Sequence, residues 1–418
     1  MLTGRHLLLA IVLVVAAGAV AAIVLAWQPA IAAIAPPSRS AFPPATIARG
    51  AELAAIGDCA VCHTAAGGRP YAGGRALPTP FGLIYVTNIT PDPDTGIGRW
   101  SEAAFRRAMR DGIGRTGWHL YPALPYPHFT RATDADIAAL YAFLMTRAPV
   151  RASTPPNRLP FPLNLRATIA GWNLLFLRPG PWRPDPAKSP EWNRGAYLVE
   201  GVGHCGACHT PHNVLGAEQG AEALKGGVAE GWYAPSLSAS SPARHPWTQD
   251  ALAAYLGHGF TPQHGAAAGP MRAVTLELAV VPDQDVRAIA AYIAAQIPAA
   301  SHEPDPVIPR ALQPDPVFAG ACSGCHEDDA PMQRAGAPSL ALGTAVNAPT
   351  PRDAIQTILH GIPWREGAAQ PYMPGFAPAL SDAQVTGLVR YLRARYSDRP
   401  AWTGIAAWVR RLRRQGGA

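Results

Sequence analysis

The chain has 418 residues and a formal net charge of +7, with 48% hydrophobic and only 15% charged residues. This hydrophobic content excludes an intrinsically disordered chain, and a single long apolar run excludes a polytopic membrane protein. Six cysteines in this length are too few for a scaffold built on disulfides, so the composition leaves a globular protein of several domains.

An apolar run occupies residues 7–27 and follows Arg5. A secretory signal has an apolar core of about 7–15 residues, whereas a membrane-spanning helix needs about 20. The run therefore predicts a transmembrane anchor, and the small residues at 30–32 leave a cleaved signal peptide open as the alternative. Both interpretations export the rest of the chain, because Arg5 stays on the cytoplasmic side.

All six cysteines lie in three copies of the pattern C-x-x-C-H. The copies are Cys59, Cys62 and His63; Cys205, Cys208 and His209; and Cys322, Cys325 and His326. Two thiols about one helical turn apart can form thioethers to the two vinyl groups of a haem, and the histidine then becomes an axial ligand of the iron. A zinc site needs about four protein ligands, and no cysteine lies outside these motifs. The pattern therefore predicts three covalently bound haems c.

Each motif lies inside a longer repeat. Arg-Gly-Ala begins the segment before the first two motifs, at Arg49 and Arg194. A second helix in each copy is predicted to begin at Ser101, Thr248 and Thr350 and to end at Gly112, Gly259 and Gly361. A last helix carries Tyr141, Tyr292 and Tyr391. This order of helix, haem motif, helix, ligand loop and helix resembles a small cytochrome c domain.

The repeats predict a mainly α fold of three tandem cytochrome c domains with an N-terminal transmembrane helix. The predicted domains are 41–150, 189–297 and 314–398, the linkers are 151–188 and 298–313, and a basic amphipathic tail follows at 399–418.

Methionine is the usual second axial ligand of an electron-transfer haem in such domains. Met271 stands twelve residues after the glycine that ends the second helix of repeat 2, and Met373 stands at the same distance in repeat 3. The same count in repeat 1 reaches Leu124, which cannot bind iron. Haem 1 is therefore either five-coordinate or bound by another residue of this loop, and we favour His128 over His119. Both histidines could equally be surface residues or contacts of a haem propionate.

The tail places a set of apolar residues on one helical face and arginines on the other; the apolar set is Trp402, Ile405, Trp408, Val409 and Leu412. Such a helix can lie in a bilayer interface or can pack on its own domain. With the basic residues concentrated in the tail, we expect a membrane surface and no nucleic acid as the partner.

The segments 81–114, 119–130 and 193–213 resemble the multihaem cytochrome c subunits of membrane-associated bacterial dehydrogenases. That group serves alcohol, gluconate and sorbitol dehydrogenases and includes the triheme subunits of periplasmic molybdenum hydroxylases such as nicotinate dehydrogenase. The linker at 155–180 and the nonpolar Leu124 are more similar to the nicotinate type.

The resemblance implies an electron-transfer subunit without catalytic residues of its own. It implies a separate catalytic dehydrogenase subunit, with or without an iron–sulfur subunit, and ubiquinone or a terminal oxidase of the respiratory chain as the acceptor. It also implies a place at the bacterial inner membrane, with the haem domains facing the periplasm. Two alternatives are a peroxidase-like multihaem enzyme with an open haem 1 and a free-standing quinol-linked cytochrome.

Overall fold

The computed structural model describes residues 4–297, 310–327, 329–334, 338–363 and 372–416. The chain divides into two compact units, Met1–Arg183 and Pro184–Ala418. The mainly helical fold that the sequence predicts is confirmed, since the strands form only two-stranded antiparallel pairs. Most of the predicted linker at 298–313 and the last two residues of the tail lie outside the described residues. The boundaries of the three predicted domains stay a prediction.

The first unit carries the first C-x-x-C-H motif. Its helices are α1 (Gly4–Ala26), α2 (Pro44–Ile56), α3 (Cys59–Cys62), α4 (Glu102–Asp111), α5 (Tyr126–Phe129), α6 (Asp134–Met145) and α7 (Thr168–Phe176). Its hairpin joins β1 (Ala76–Thr79) to β2 (Gly82–Tyr85). Helices α2 and α6 pack against each other and bury the centre of this unit.

The second unit carries the other two motifs. Around the second motif lie α8 (Pro190–Glu200), α9 (Gly206–His209), α10 (Gln249–His258), α11 (Gly269–Leu278) and α12 (Asp283–Gln296), with β3 (Gly227–Ala229) paired to β4 (Trp232–Ala234) and β5 (Phe260–Thr261) paired to β6 (Gly265–Ala266). Around the third lie a π-turn (Phe318–Cys322), α13 (Ser323–His326), α14 (Pro331–Arg334), α15 (Thr344–Asn347), α16 (Arg352–His360), α17 (Asp382–Tyr396) and α18 (Ile405–Gly416).

The helix before each of the first two motifs crosses the last helix of its repeat at a glycine. A Cβ on Gly50 of α2 would lie 1.9 Å from the carbonyl oxygen of Ala139 in α6. A Cβ on Gly195 of α8 would lie 1.9 Å from the carbonyl oxygen of Ala288 in α12. Only a residue without a side chain permits this backbone approach, which explains the glycine of the repeated Arg-Gly-Ala.

The arginine of the same tripeptide forms an ion pair with the last helix of its repeat, next to the glycine contact. Arg49 contacts Asp136 with nitrogen–oxygen distances of 3.2 and 3.4 Å. Arg194 contacts both carboxylate oxygens of Asp285 at 2.8 Å. A bidentate arginine–carboxylate pair adds directional hydrogen bonds to the attraction of the charges. The same ion pair therefore orients the first helix against the last helix in both repeats.

We predict that Gly50→Ala lowers the free energy of unfolding of the first unit by about 3 kcal/mol or more, because the added methyl group overpacks a backbone contact. Urea denaturation followed by circular dichroism measures this change. Gly171→Ala in α7 is the matched control, since its added Cβ meets nothing within 4 Å and favours the helix by about 0.5–1 kcal/mol. Equal free energies of unfolding for the two variants would contradict the claim that the contact between α2 and α6 requires glycine at position 50.

The glycines that end the second helix of each repeat lie where the sequence predicts. Gly112, Gly259 and Gly361 each follow the last helical residue and have φ values of 63, 71 and 68°. At the other end, the hydroxyls of Ser101 and Thr248 cap α4 and α10 as predicted. The predicted start at Thr350 is wrong, because Pro351 occupies the N-cap position of α16 and offers no side-chain acceptor.

The apolar face of the tail packs on the third repeat. In α18, Val409 and Leu412 are 0% exposed, and Trp402 and Ile405 join the same core cluster as α16 and α17. Arg413 adds contacts to the carboxylate of Asp382 at 2.7 Å and to two carbonyl oxygens. Of the two interpretations of the tail, the structure supports packing on its own domain, because the face that a bilayer would receive is already buried.

Helix α1 covers residues 7–26 of the apolar run and contacts α7. Crossing a bilayer takes about 20 consecutive apolar residues in one helix. In the part of the chain that the structure describes, no helix is long and apolar enough to do so. The predicted transmembrane anchor at 7–27 is therefore not supported.

Strand β4 contacts α16 around a partly buried carboxylate. Asp353, in the first turn of α16, accepts a 2.8 Å hydrogen bond from the backbone N–H of Tyr233. Burial raises the pKa of Asp353 to about 7, although this hydrogen bond and Arg352 act in the opposite direction. The negative charge of Asp353 in turn contributes to the raised pKa values of Tyr233 and Tyr255.

Because of the raised pKa of Asp353, we predict that the stability of the protein depends on pH. Because the folded pKa of Asp353 lies above its ordinary value of about 4, folding favours the protonated form. Its contribution is complete below about pH 4 and is lost as the pH rises through about 7. Between these limits the free energy of unfolding should fall by about 3 kcal/mol less in Asp353→Asn than in the parent protein.

Urea unfolding across this pH range measures the difference. Asp250→Asn is the control, because the Asp250 side chain is 83% exposed. Identical pH profiles of Asp353→Asn and the parent protein would contradict the prediction.

Candidate haem-binding sites

The first motif forms a single helical turn that places its two cysteines side by side. Cys59 and Cys62 begin and end α3, and the backbone N–H of His63 donates to the carbonyl of Cys59 at 2.9 Å. The turn is entered through Asp58, which is buried and has a φ of 50°. One turn of helix therefore presents both thiols and the imidazole in a fixed order.

The His63 ring is oriented by a distant backbone carbonyl. Its Nδ1 lies 2.6 Å from the carbonyl oxygen of Thr87, which can only accept, so Nδ1 carries the proton. This tautomer leaves the lone pair of Nε2 for a metal. Burial lowers the pKa of His63 to about 4 against the opposing effect of this hydrogen bond, so the imidazole is neutral at physiological pH.

The second motif repeats this arrangement. The Nδ1 of His209 donates to the carbonyl oxygen of Pro235 at 2.6 Å, and burial lowers the pKa of His209. The backbone N–H of His209 bonds to the carbonyl of Cys205 at 3.0 Å. The same hydrogen bond from Nδ1 to a backbone carbonyl therefore leaves Nε2 of both histidines available to a metal.

The sequence analysis missed Thr87 and Pro235. A signal was present, because Ala-Pro-Ser-Leu occurs at 234–237 and again at 337–340, downstream of the second and third motifs. Repetition of a proline after each of these motifs could have pointed to a shared structural role.

The third motif differs in its surroundings. The carbonyl oxygen of Pro338, which matches Pro235 in the sequence repeat, accepts a 3.2 Å hydrogen bond from the Gln333 side chain. Burial lowers the pKa of His326, and burial with Asp315 nearby raises the pKa of Cys322 to about 11. A redox-active dithiol needs a stabilised thiolate, so this environment does not fit a disulfide-exchange site.

These side chains fit haem c and do not fit a protein-built metal cluster. Within the described residues, no group of three or more histidine, cysteine, aspartate or glutamate side chains could hold a metal ion. Each motif instead offers two thiols one turn apart and a single imidazole that is buried in His209 and partly buried in His63 and His326. This is the set that a covalently attached iron porphyrin needs from one side.

The ligand loops of the first two repeats have the same backbone register. In each loop, the residue after the helix-ending glycine forms a β-bridge with the residue six positions later. The carbonyl oxygen of the glycine then accepts a hydrogen bond, at 2.7 and 2.8 Å, from the N–H of the residue that follows the bridge. The pairs are Ile113 with His119 and Phe260 with Ala266, and the hydrogen bonds are Leu120 to Gly112 and Ala267 to Gly259.

This register aligns Leu124 with Met271, because each stands five residues after the last paired residue. Met271 is partly buried in the first turn of α11, and Leu124 is also partly buried. Met373 also stands twelve residues after its glycine, but the loop of repeat 3 is paired differently. The backbone of Met373 itself pairs with Ile362 through hydrogen bonds of 2.8 and 3.0 Å. The leucine therefore stands at the same count in its loop as the methionine of repeat 2, although Leu124 precedes α5 whereas Met271 lies within α11.

The two histidines of the first loop lie in different surroundings. His119 is buried, and its Nε2 lies 3.2 Å from the carbonyl oxygen of Ala26 at the end of α1. Burial lowers the pKa of His119. His128 is partly buried on α5. The carbonyl contact engages Nε2 of His119, and its Nδ1 has no hydrogen-bond partner among the described residues. The assignment of His128 stays a prediction.

Two family models match the chain. The model described as cytochrome c matches residues 47–148, and the model described as cytochrome C oxidase, cbb3-type, subunit III matches residues 309–392. The first covers the first motif and its ligand loop, and the second covers the third motif.

Three curated relatives show the range of similarity. A nicotinate dehydrogenase subunit of Pseudomonas putida is 49% identical over 94% of this chain, which spans only 34% of that relative's length. The fructose dehydrogenase cytochrome subunit of Gluconobacter japonicus is 34% identical over 89% of this chain and 83% of its own. The gluconate 2-dehydrogenase cytochrome c subunit of Pantoea cypripedii is 35% identical over 88% of this chain and 90% of its own.

Proposed function

Because this chain belongs to the cytochrome c subunits of dehydrogenases, we propose that it carries three covalent haems c and passes electrons from a catalytic partner to a respiratory acceptor. The observation that carries the proposal is the repeated geometry of the motifs. In two of them, a backbone carbonyl 2.6 Å from Nδ1 fixes a neutral histidine in the tautomer that binds iron.

Each haem is assigned one set of residues. The thiols that attach the haems are those of Cys59, Cys62, Cys205, Cys208, Cys322 and Cys325, and the axial histidines are His63, His209 and His326. Met271 and Met373 complete haems 2 and 3, and His128 is the candidate for haem 1. When bound, haem supplies a reversible one-electron couple, while the chain supplies the ligands and the apolar surroundings.

The catalytic partner that we propose is a molybdenum hydroxylase of the nicotinate dehydrogenase type. The support is the 49% identity to a nicotinate dehydrogenase subunit, against 33–35% for the subunits of fructose, alcohol and gluconate dehydrogenases. Ubiquinone or a terminal oxidase is the proposed acceptor, and the periplasmic side of the inner membrane is the proposed location. An alcohol or sugar dehydrogenase is the second candidate partner, supported by relatives that match over most of their own length.

Co-purification tests the partner. The tagged full chain should bring down a large subunit containing molybdenum, and nicotinate should reduce the haems of the complex. Ethanol and gluconate serve as control substrates for the same preparation. Reduction by ethanol or gluconate alone would replace the first candidate with the second.

The catalytic alternative is tested on the isolated chain. A chain without its partner should leave peroxide unconsumed and should accept electrons only from an added donor. Peroxide turnover that depends on haem 1 would contradict a pure electron-transfer role and would support the open-haem enzyme, which the leucine at position 124 favours.

A further inference from the structure

A cavity of about 680 Å³ lies in the second unit, between the segment 239–242 and the last helices of the chain. It is lined by Tyr233, Ser240, Thr350, Arg393, Arg399 and Trp408 among others. Its lining side chains, all within the described residues, include hydroxyls, indoles and guanidinium groups but no carboxylate. A wall of this composition favours a ligand that accepts hydrogen bonds and carries negative charge.

Arg393 brings a buried positive charge to this wall. Its side chain is only 5% exposed, and its guanidinium donates to backbone carbonyls at 2.5–3.2 Å, those of Val346, Ala348 and Pro400. These carbonyl oxygens engage Nε and Nη1 but do not neutralise the charge, and Nη2 makes no hydrogen bond to the described residues. The carboxylate of Asp398 forms its ion pair with Arg244 at 2.6 Å and acts on Arg393 as a counter-charge that opposes the lowering of its pKa. An anion in the cavity would add a second counter-charge to this buried guanidinium.

Arg399 adds a second positive charge on the same wall. It is exposed, and its guanidinium makes no ion pair among the described residues. Burial is the main cause that lowers the pKa of Arg393; the charge of Arg399 adds to the lowering, and Asp398 opposes it. An anion at the cavity wall would offset the repulsion between the two guanidinium groups.

Thr350, which lines the same cavity, has a hydroxyl without a partner among the described residues. Its Oγ1 is shielded from solvent and has no hydrogen-bond partner in the described part of the chain. The residue immediately precedes Pro351, the N-cap of α16, which provides no side-chain acceptor for the first backbone N–H groups. The Thr350 hydroxyl and the first backbone N–H groups of α16 are therefore hydrogen-bond donors without a side-chain acceptor within the described ranges.

We propose that this cavity binds an oxyanion of the phosphate type, held by Arg393 and Arg399 and by the hydroxyl of Thr350. The tetrahedral oxygens would accept from the guanidinium groups and from the hydroxyl at once. The group could come from a soluble phosphate or from the headgroup of an anionic phospholipid, and the recognition chemistry is the same. This site is independent of electron transfer by the haems.

Calorimetric titration of the full-length holoprotein with inorganic phosphate tests the site, with sodium chloride at matched ionic strength as the background. We expect saturable binding, about tenfold weaker in Arg399→Gln because one charge-assisted hydrogen bond is lost. Thr350→Val should weaken binding in the same direction. Arg390→Gln, which removes an exposed arginine of α17 outside the cavity, is the matched control and should bind as the parent does.

Vesicle flotation separates the two sources of the phosphate group. Binding to phosphatidylglycerol vesicles but not to phosphatidylcholine vesicles, lost in Arg399→Gln and kept in Arg390→Gln, would identify the lipid headgroup. Phosphate binding without vesicle binding would identify a soluble ligand. Equal affinity of the parent and Arg399→Gln for both probes, or binding of neither probe, would overturn the proposal.

Discussion

Serine in place of both Cys205 and Cys208 should reduce the covalent haem content from three per chain to two, because no other cysteine lies within the second repeat. The remaining motifs lie on separate turns of helix, so their attachment should be unaffected. Pyridine haemochrome absorbance gives the haem content, and the intact mass of the protein should fall by one haem relative to the parent.

The equivalent double variants of the other two motifs are the matched controls. Each should lose one haem, and the three changes together should remove all covalent haem. A chain that keeps its full haem content without Cys205 and Cys208 would show that the motifs are not the attachment sites.

Methionine in place of Leu124 should convert haem 1 to histidine–methionine ligation. The register of the loop gives this residue the same count as Met271 in repeat 2, so we expect its thioether to reach the iron of haem 1. A thioether ligand raises the reduction potential of the haem. Electron paramagnetic resonance and a redox titration should show one of three haems changing, to a low-spin species of higher potential.

If haem 1 is five-coordinate in the parent chain, Leu124→Met should also abolish its binding of carbon monoxide, and the reverse change, Met271→Leu, should reproduce the properties of haem 1 in haem 2. If His128 binds haem 1, Met271→Leu should instead leave haem 2 without a sixth ligand, because Thr275 stands at the matching position of repeat 2. Met145→Leu is the control, because Met145 is buried in the core of α6 and should alter no haem. An unchanged haem 1 in Leu124→Met would show that the loop does not direct residue 124 to the iron.

Local features of the chain were predictable from the sequence because they depend on neighbouring residues. The helix-ending glycines, such as Gly112 and Gly259, follow from the left-handed conformation that ends a helix. The cap at Ser101 follows from one hydroxyl and the N–H three residues later. The start predicted at Thr350 is wrong because the proline that follows takes the cap position itself.

Features set by distant residues were not predictable in this way. The tail illustrates the difference, since its pattern of apolar and basic residues fits a bilayer surface and a protein core equally well. Contact with α16 and α17 decided between them.

The sequence by itself determined the chemistry of the sites: three thiol pairs, each followed by a histidine, and two methionines at one fixed count. The residues of each such pattern lie close together in the sequence, so their spacing determines their geometry. Only the tertiary structure decided how the histidines are held. The acceptors Thr87 and Pro235 lie 24 and 26 residues away in sequence, and the fold brings them to 2.6 Å. Spacing cannot reveal such a hydrogen bond, because its partners meet only once the intervening chain has folded back.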